Sequence, residues 1–471
     1  MHTLRSTLGA FALAALVAAP SAFAVEETGR GANVEHVKNL SYAGGDGGSG
    51  TDIEFRKYTI DGVERTFAFA GSYGTGLQVV DVTDPEAAEI VATWDCGVSQ
   101  GDVQLFERAE GVFVAYTHDD GYGFVDSDCK DDAEDMGITV PNDPAGTFIA
   151  DITDPLHPET VTFVAFPKGS HNQTVHPSGN YLYNSNSDLA GLGPAIEIAD
   201  ITDMKKPVQL PELPLLVFPG LGSDAHDITF SADGKRAYVA ALSHTEILDT
   251  TNPGAPVSIG KLVDPAINVW HQSEAITLTD PVLAERSFLF VEDEFAGAIG
   301  TGQCPNGGVH VYDVTGELEQ APVKVGYWNI DDIGPTDATL GGCTAHVFQL
   351  HAEEALMTIA YYNGGVRVVD LSGLLGVALG DKGVGMKQLG WYRFADSNAW
   401  SVKAPFVDRD GFYMYANDHT RGFDVYKWTP GAAASVSPGV WMSPERALQA
   451  ANARRALGGG FKQRQLVCKL I

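Results

Sequence analysis

The chain holds thirteen histidines, and several recur in one local setting. His171, His226 and His346 each open a short run that suits a half-buried strand: His-Asn-Gln-Thr-Val, His-Asp-Ile-Thr-Phe and His-Val-Phe-Gln-Leu. A fourth such run, Glu274-Ala-Ile-Thr-Leu, opens on a carboxylate and has His271 three residues earlier. Imidazoles beside carboxylates form a donor set for Cu, Zn, Fe or Ni, with the acids as ligands or as partners that orient the rings. No motif such as H-E-x-x-H accompanies them, so the chemistry depends on a fold that gathers distant segments. The competing reading is that a histidine opening a strand hydrogen-bonds a neighbouring carbonyl and braces the structure. A single histidine would be read that way. Three at equivalent positions, with His271 beside a fourth, are read as a binding site.

What could gather them is a repeat. Leu77 to Pro85 reads LQVVDVTDP, an apolar β-branched run and then Asp-Thr-Asp-Pro, which suits a buried strand and a turn. The pattern returns as TFIADITDP (Thr147 to Pro155), AIEIADITD (Ala195 to Asp203), TEILDTTNP (Thr245 to Pro253), GVHVYDVT (Gly308 to Thr315) and GVRVVDLS (Gly365 to Ser372). A degenerate seventh copy, GFDVYKW, spans Gly422 to Trp428. The aligned aspartates Asp81, Asp151, Asp200, Asp249, Asp313, Asp370 and Asp424 lie 70, 49, 49, 64, 57 and 54 residues apart. A period of about 40–50 residues with several short strands per unit predicts a β-propeller, the longer intervals being loop insertions. The aspartate recurs too regularly to be catalytic and is expected to accept backbone hydrogen bonds in the turn after it.

The fourth unit divides most clearly. Strand a covers Asp227–Phe230, b Arg236–Leu242, c Glu246–Asp249 and d Val257–Leu262. The last unit, Trp400 to Trp428, offers only three strands, and Asn33–Tyr42 precedes the first strand a where a strand d would stand. The expected fold is all-β, a seven-bladed β-propeller of four-stranded blades over residues 25–430. Its ring is closed by the N-terminal strand, which leaves no open edge. In such a ring the start of each strand a and the end of each strand b share one face, the top, around the central channel. The expected metal ligands are therefore His171, His226, His271, His346 and Glu274. Glu292, His419, His244 and His118 are expected in support. Glu292-Asp293-Glu294 ends the fifth strand b. His36, His157, His176, His310 and His351 fall elsewhere and are read as structural or surface residues.

The repeat resembles that of the LVIVD-repeat family of secreted and cell-surface bacterial proteins, on the V/I-V/A-D-V/I-T-D-P copies quoted above. The fourth to seventh copies depart from it, mainly by losing Asp-Pro. The resemblance implies a propeller and no settled activity. By fold alone, carotenoid-cleaving oxygenases, which hold iron on four propeller histidines, and selenium-binding-protein-like methanethiol oxidases offer analogies without an extended sequence match.

Residues 1–24 read as a secretory signal: one arginine, an apolar run from Leu8 to Ala19, and Ala22-Phe23-Ala24 as the cleavage site. The run is short for a membrane span and no later segment is apolar enough for one. Export suits the cysteines. Cys96, Cys129, Cys304 and Cys343 map to top-face loops of neighbouring blades, and the pairs Cys96–Cys129 and Cys304–Cys343 are expected, with Cys468 left over. The net charge of −31 argues against nucleic acid and anionic lipid as partners. In the second unit's insertion, DSDCKDDAED could offer Asp126, Asp128, Asp131 and Asp132 to Ca²⁺, but the spacing lacks the usual calcium-loop pattern and a solvated acidic loop is the better reading. Residues 431–471 read as a linker and a short basic helical tail. From Arg446 onward they carry six basic residues and no acid.

Two functions follow. One is a ligand-binding propeller with a transition-metal site (Cu, Zn or Fe) at the channel's top mouth, acting on a small molecule as an extracytoplasmic metal-dependent oxidoreductase. The other is a non-catalytic, monomeric surface scaffold that holds a protein, peptide or glycan on its top face and has structural histidines.

Overall fold

The computed structural model describes residues 29–42, 49–188, 193–217, 222–294, 306–330, 332–333 and 342–431. The signal segment, Cys304, Cys468 and the basic tail lie outside these residues.

Seven separate antiparallel sheets form the blades; in the first five the strands follow sequence order from the innermost outward, and in the last two an N-terminal strand is added at the outer edge. Blade four shows the plan: Asp227–Phe230, Arg236–Ala240, Thr245–Asp249 and Val257–Leu262 pair in succession. The repeat aspartate ends strand c in every blade but the last and makes the turn after it. Asp81, Asp151, Asp200, Asp249, Asp313 and Asp370 each accept the backbone N–H two residues on, at 2.8 to 3.1 Å. The following threonine ties this turn to strand b, as where Thr153 Oγ1 accepts Val112 N–H at 3.0 Å. Pairing and side-chain chemistry thus agree along the repeat.

The apolar strand faces pack blade on blade. Phe67, Phe69, Val114, Tyr116 and Phe148, all buried, fill the wedge between blades one and two. Blade three departs from the plan. Its outer strand is split into Val208–Gln209 and Leu213–Pro214, both paired with Ala195–Asp200, because Pro207, Pro211 and Pro214 remove ladder donors there.

The ring closes as the sequence suggests. Val34–Leu40 pairs with Gly422–Trp428, from Val34 opposite Trp428 to Leu40 opposite Phe423, and so supplies the outer strand of blade seven. Three residues before it, Arg30–Ala32, pair instead with Lys387–Arg393 and give blade six a fifth strand. Asn33 makes the step between the two blades at φ 58°, a left-handed conformation that asparagine tolerates.

The acidic insertion forms a helix, Asp128–Asp135, where a loop was expected. A helix fans its carboxylates around the axis, and among the described residues these acids form no convergent group of ligands. Cys129, in the first turn, is bonded to Cys96 with Cα atoms 5.0 Å apart. Cys343 is disulfide-bonded. No helix among the described residues is long and apolar enough to cross a membrane.

Candidate metal centre at the buried end of the channel

The innermost strands of blades three, four and six start at or just after His171, His226 and His346. The backbone N–H groups of His171 and His226 bond Ser185 O and Ala240 O, and His346 pairs opposite Ala360. In blade five the innermost strand begins at Trp270, four residues before Glu274. A register shift between Trp270 and Ser273 lets the longer segment fit, and brings His271 level with its neighbours. The four rings then stand in one row. Centroids are 4.4 Å apart for His171–His226, 4.2 Å for His226–His271 and 4.4 Å for His271–His346.

Two carboxylates face this row from the end of the fifth strand b. Glu292 Oε2 is 3.4 Å from His271 Nδ1, and Glu294 Oε2 is 3.8 Å from His271 Nε2. Strand alternation puts both on one face; Asp293 points the other way and accepts the N–H groups of Asn268 and Val269. One ligand atom each from His226, His271 and Glu294 lies within 4.8 Å of the others, and all three residues are buried.

The ends of the row are held from outside. His171 Nδ1 is 2.9 Å from Asp119 Oδ2, and His346 Nδ1 donates to Trp400 O at 2.5 Å. Tyr362 Oη donates to Glu294 Oε1 at 2.8 Å, and its ring lies 4.5 Å from that of His346. Orienting one nitrogen of a ring while the other faces inward is the arrangement found around metal-binding imidazoles. The inward atoms have no hydrogen-bond partner: both ring nitrogens of His226, His271 Nδ1, His346 Nε2, both oxygens of Glu292, and Glu294 Oε2. The His271 backbone lies near His226 and the Val347 backbone near Glu292, each acting as a hydrogen-bonding group that opposes the effect of burial. Val347, next to His346, sits at φ 31°, strained for a β-branched residue.

Burial sets the charge state. Desolvation drives His226, His271 and His346 well below the usual histidine range; neighbouring imidazoles push the same way for His226. It drives Glu292 and Glu294 well above the usual carboxylate range. Neutral imidazole is the form that binds metal, and a cation would compensate ionised Glu292 and Glu294.

A cavity of about 390 Å³ joins this row to the lumen. Its wall runs from His171, His271, His346 and Trp400 past Asp102, Asp227 and Glu274 to Val175 and Phe230 at the far ends of their strands. The four histidines are at most 6% exposed, so the row lies at a buried end of the channel and not in an open mouth. Glu274 stands three residues beyond His271, about 10 Å along the strand. It lines the lumen, 3.3 Å from Gln272 Nε2, and is not among the converging atoms.

The other expected residues lie apart. His118 Nδ1 accepts Ser99 N–H at 2.9 Å while Nε2 meets Asp143 at 3.1 Å, which braces two loops. His244 Nε2 lies 3.2 Å from Glu246. The half-buried His419 ring sits beyond Trp400, 4.8 Å from Tyr73. Of the five remaining histidines, His36 bonds Asp424 at 2.7 Å, His176 bonds Gly234 O at 2.8 Å, and His157 is exposed beside Asp154. Tyr362 carries no signal in the sequence, whereas Glu294 and Asp119 stand there as carboxylates at strand-b ends without individual roles.

No protein-family model and no curated protein matches the chain. Among solved structures it is similar to a functionally unknown protein from Desulfotomaculum acetoxidans, at 17% identity and a TM-score of 0.44, over 73% of this chain and 89% of that one. It is also similar to the β-propeller domain of Cps50 (Swd1) from Myceliophteria thermophila, at 11% identity and a TM-score of 0.48, over 81% and 97%. Neither likeness bears on chemistry, and the seven-bladed ring rests on the strand pairing described above.

Proposed function

We propose that this protein is an exported propeller that binds one transition metal ion, Cu, Zn or Fe, at the buried end of its channel and presents it to a small molecule in the lumen. His226, His271 and Glu294 would hold the ion, with His171, His346 and Glu292 close enough to complete or orient the set. The observation that carries this is the convergence of one ligand atom each from the buried His226, His271 and Glu294 within 4.8 Å of one another, beside His346 Nε2, which has no hydrogen-bond partner. A buried polar atom left unpaired costs about 1–3 kcal/mol, a cost that an ion bound among these atoms would relieve. His118 and His244 are braced as a scaffold requires, and so are the row's ends at His171 and His346, but His226 between them has no side-chain partner. A redox-active ion would make the reaction class a metal-dependent oxidation. The protein's part would be to orient the rings through Asp119 and Trp400, to hold Glu294 through Tyr362, and to keep bulk water from the row. The Cys96–Cys129 disulfide and the repeat's resemblance to the LVIVD family support export.

The test is elemental analysis of protein purified from its native exported fraction, beside His226→Ala/His346→Ala and Glu294→Gln variants. One equivalent of Cu, Zn or Fe is expected in the parent and less than a tenth of that in the double variant. A well-folded, metal-free parent would overturn the proposal and leave the surface-scaffold reading.

A further inference from the structure

Below the histidines the lumen has a charge pattern that a metal site alone does not need. Five carboxylates line it (Asp52, Glu54, Asp102, Asp227 and Glu274). Among the described residues the only lysine or arginine on the wall is Lys403. Its ammonium is already engaged, 2.9 Å from Asp52 and 2.8 Å from Glu54. Asp102, Asp227 and Glu274, from blades two, four and five, face the cavity without an ion pair of their own; burial raises all three above the usual carboxylate range, Lys403 opposes this only from a distance, and a bound cation would favour their ionised forms. A second observation lies on the same wall. Gln100 is 3% exposed, lines the cavity, and its Nε2 has no acceptor. Both features ask for something from a ligand: positive charge for the carboxylates and an oxygen for the amide.

Spacing narrows the class. A bare metal ion needs its ligand atoms within a few ångströms of one another, since metal–oxygen bonds are about 2.0–2.6 Å. Among the described residues no three lumen carboxylates meet that condition; the one group that does is His226, His271 and Glu294. Carboxylates set somewhat farther apart suit an ammonium, whose three N–H donors reach separate acceptors at hydrogen-bond rather than metal-bond length. The cavity, about 390 Å³, falls at the lower end of the range for small-molecule pockets, about 300–1,000 Å³.

We propose that the lumen binds a small hydroxylated amine as its ammonium ion, with the charge held among Asp102, Asp227 and Glu274 and the oxygen taken by Gln100. The binding needs no metal. The idea that this amine is what the metal centre meets rests on the preceding proposal. The wall excludes carboxylate-bearing molecules by repulsion and gives neutral ones no counter-charge to gain.

The experiment is calorimetric titration with 4-aminobutan-1-ol, butane-1,4-diol and 4-hydroxybutanoate as cationic, neutral and anionic probes of one length. It is run on the protein as purified and after chelation. The amine should bind at least about tenfold more tightly than the diol, with no detectable binding of the acid. Asp102→Asn and Glu274→Gln, which keep side-chain shape and are checked for an unchanged melting temperature, should each lower amine affinity about tenfold and leave metal content unchanged. Equal affinity for amine and diol, or binding that ignores both substitutions, overturns the proposal. So does displacement of the amine by Ca²⁺ alone at equal concentration, which would assign the lumen to inorganic cations. Metal content is read separately, so loss of the metal reading and loss of the amine reading give different results.

Discussion

At the scale of single residues, burial decides what each histidine can do. His351, at the far end of the sixth innermost strand, shows this without any ligand. Burial lowers its pKa to about 4, and its Nε2 has only Thr358 Oγ1, 3.2 Å away. Its folded pKa lies below the unfolded value of about 6.5, so the unfolded chain binds the extra proton first as pH falls. The stability it contributes is present above pH 6.5 and is lost as pH drops toward 4. Between pH 7 and 5 this one group should remove about 2 kcal/mol. Urea unfolding of the parent and of His351→Gln should differ in pH dependence by that amount, and parallel curves would contradict it. The site histidines were legible as residue types. His271 is expected among the ligands although it stands three residues before the aligned position, and the register shift that brings it level leaves no mark in composition. Glu294 was legible in principle: alternation puts residues 292 and 294 on one face, and the Glu-Asp-Glu triplet held that signal.

At the scale of elements, the strand-c turn is one device used in two settings. Asp200 is a plain case, an exposed acceptor for Thr202 N–H at 2.8 Å. Asp200→Ala should cost about 1 kcal/mol, the usual worth of such a cap. Asp313 makes the same turn but is fully buried and bonded to the equally buried Arg286, 2.7 Å from Nη2. Asp313→Ala leaves a guanidinium without its counter-ion and should cost about 3–5 kcal/mol. Chemical denaturation of the two variants side by side measures the difference; equal losses would mean that the Arg286 pair adds nothing. The repeat gave the strand positions because its turn chemistry is local. The helix over Asp128–Asp135 reads as a loop in the sequence because its four aspartates are weak helix formers, and its position is tied by the Cys96–Cys129 disulfide, which sequence pattern does not register as helix.

At the scale of the whole molecule, the ring depends on one short strand. Deleting residues 25–40 would bare the edge of Gly422–Trp428 and the fifth position of blade six together. Such an edge invites pairing with other chains. The deletion variant should form soluble aggregates on size exclusion, and a monomer with the parent's melting temperature would show that the strand is dispensable. The closing strand was legible because a blade lacked its fourth member. The three-residue pairing of Arg30–Ala32 was not, since so short a strand has no period to read. The same closure imposes an order in time. His36 and Asp424 meet across 388 residues of chain, so the first strand made waits, unpaired, until the last blade has been synthesised. Trp400, whose carbonyl steadies His346, also belongs to that last blade. A growing or truncated chain can therefore display all four histidines of the row while the last of them is still unanchored. The row is anchored at both ends only once the seventh blade is made, and products that stop short of that blade would carry the histidines without the anchor.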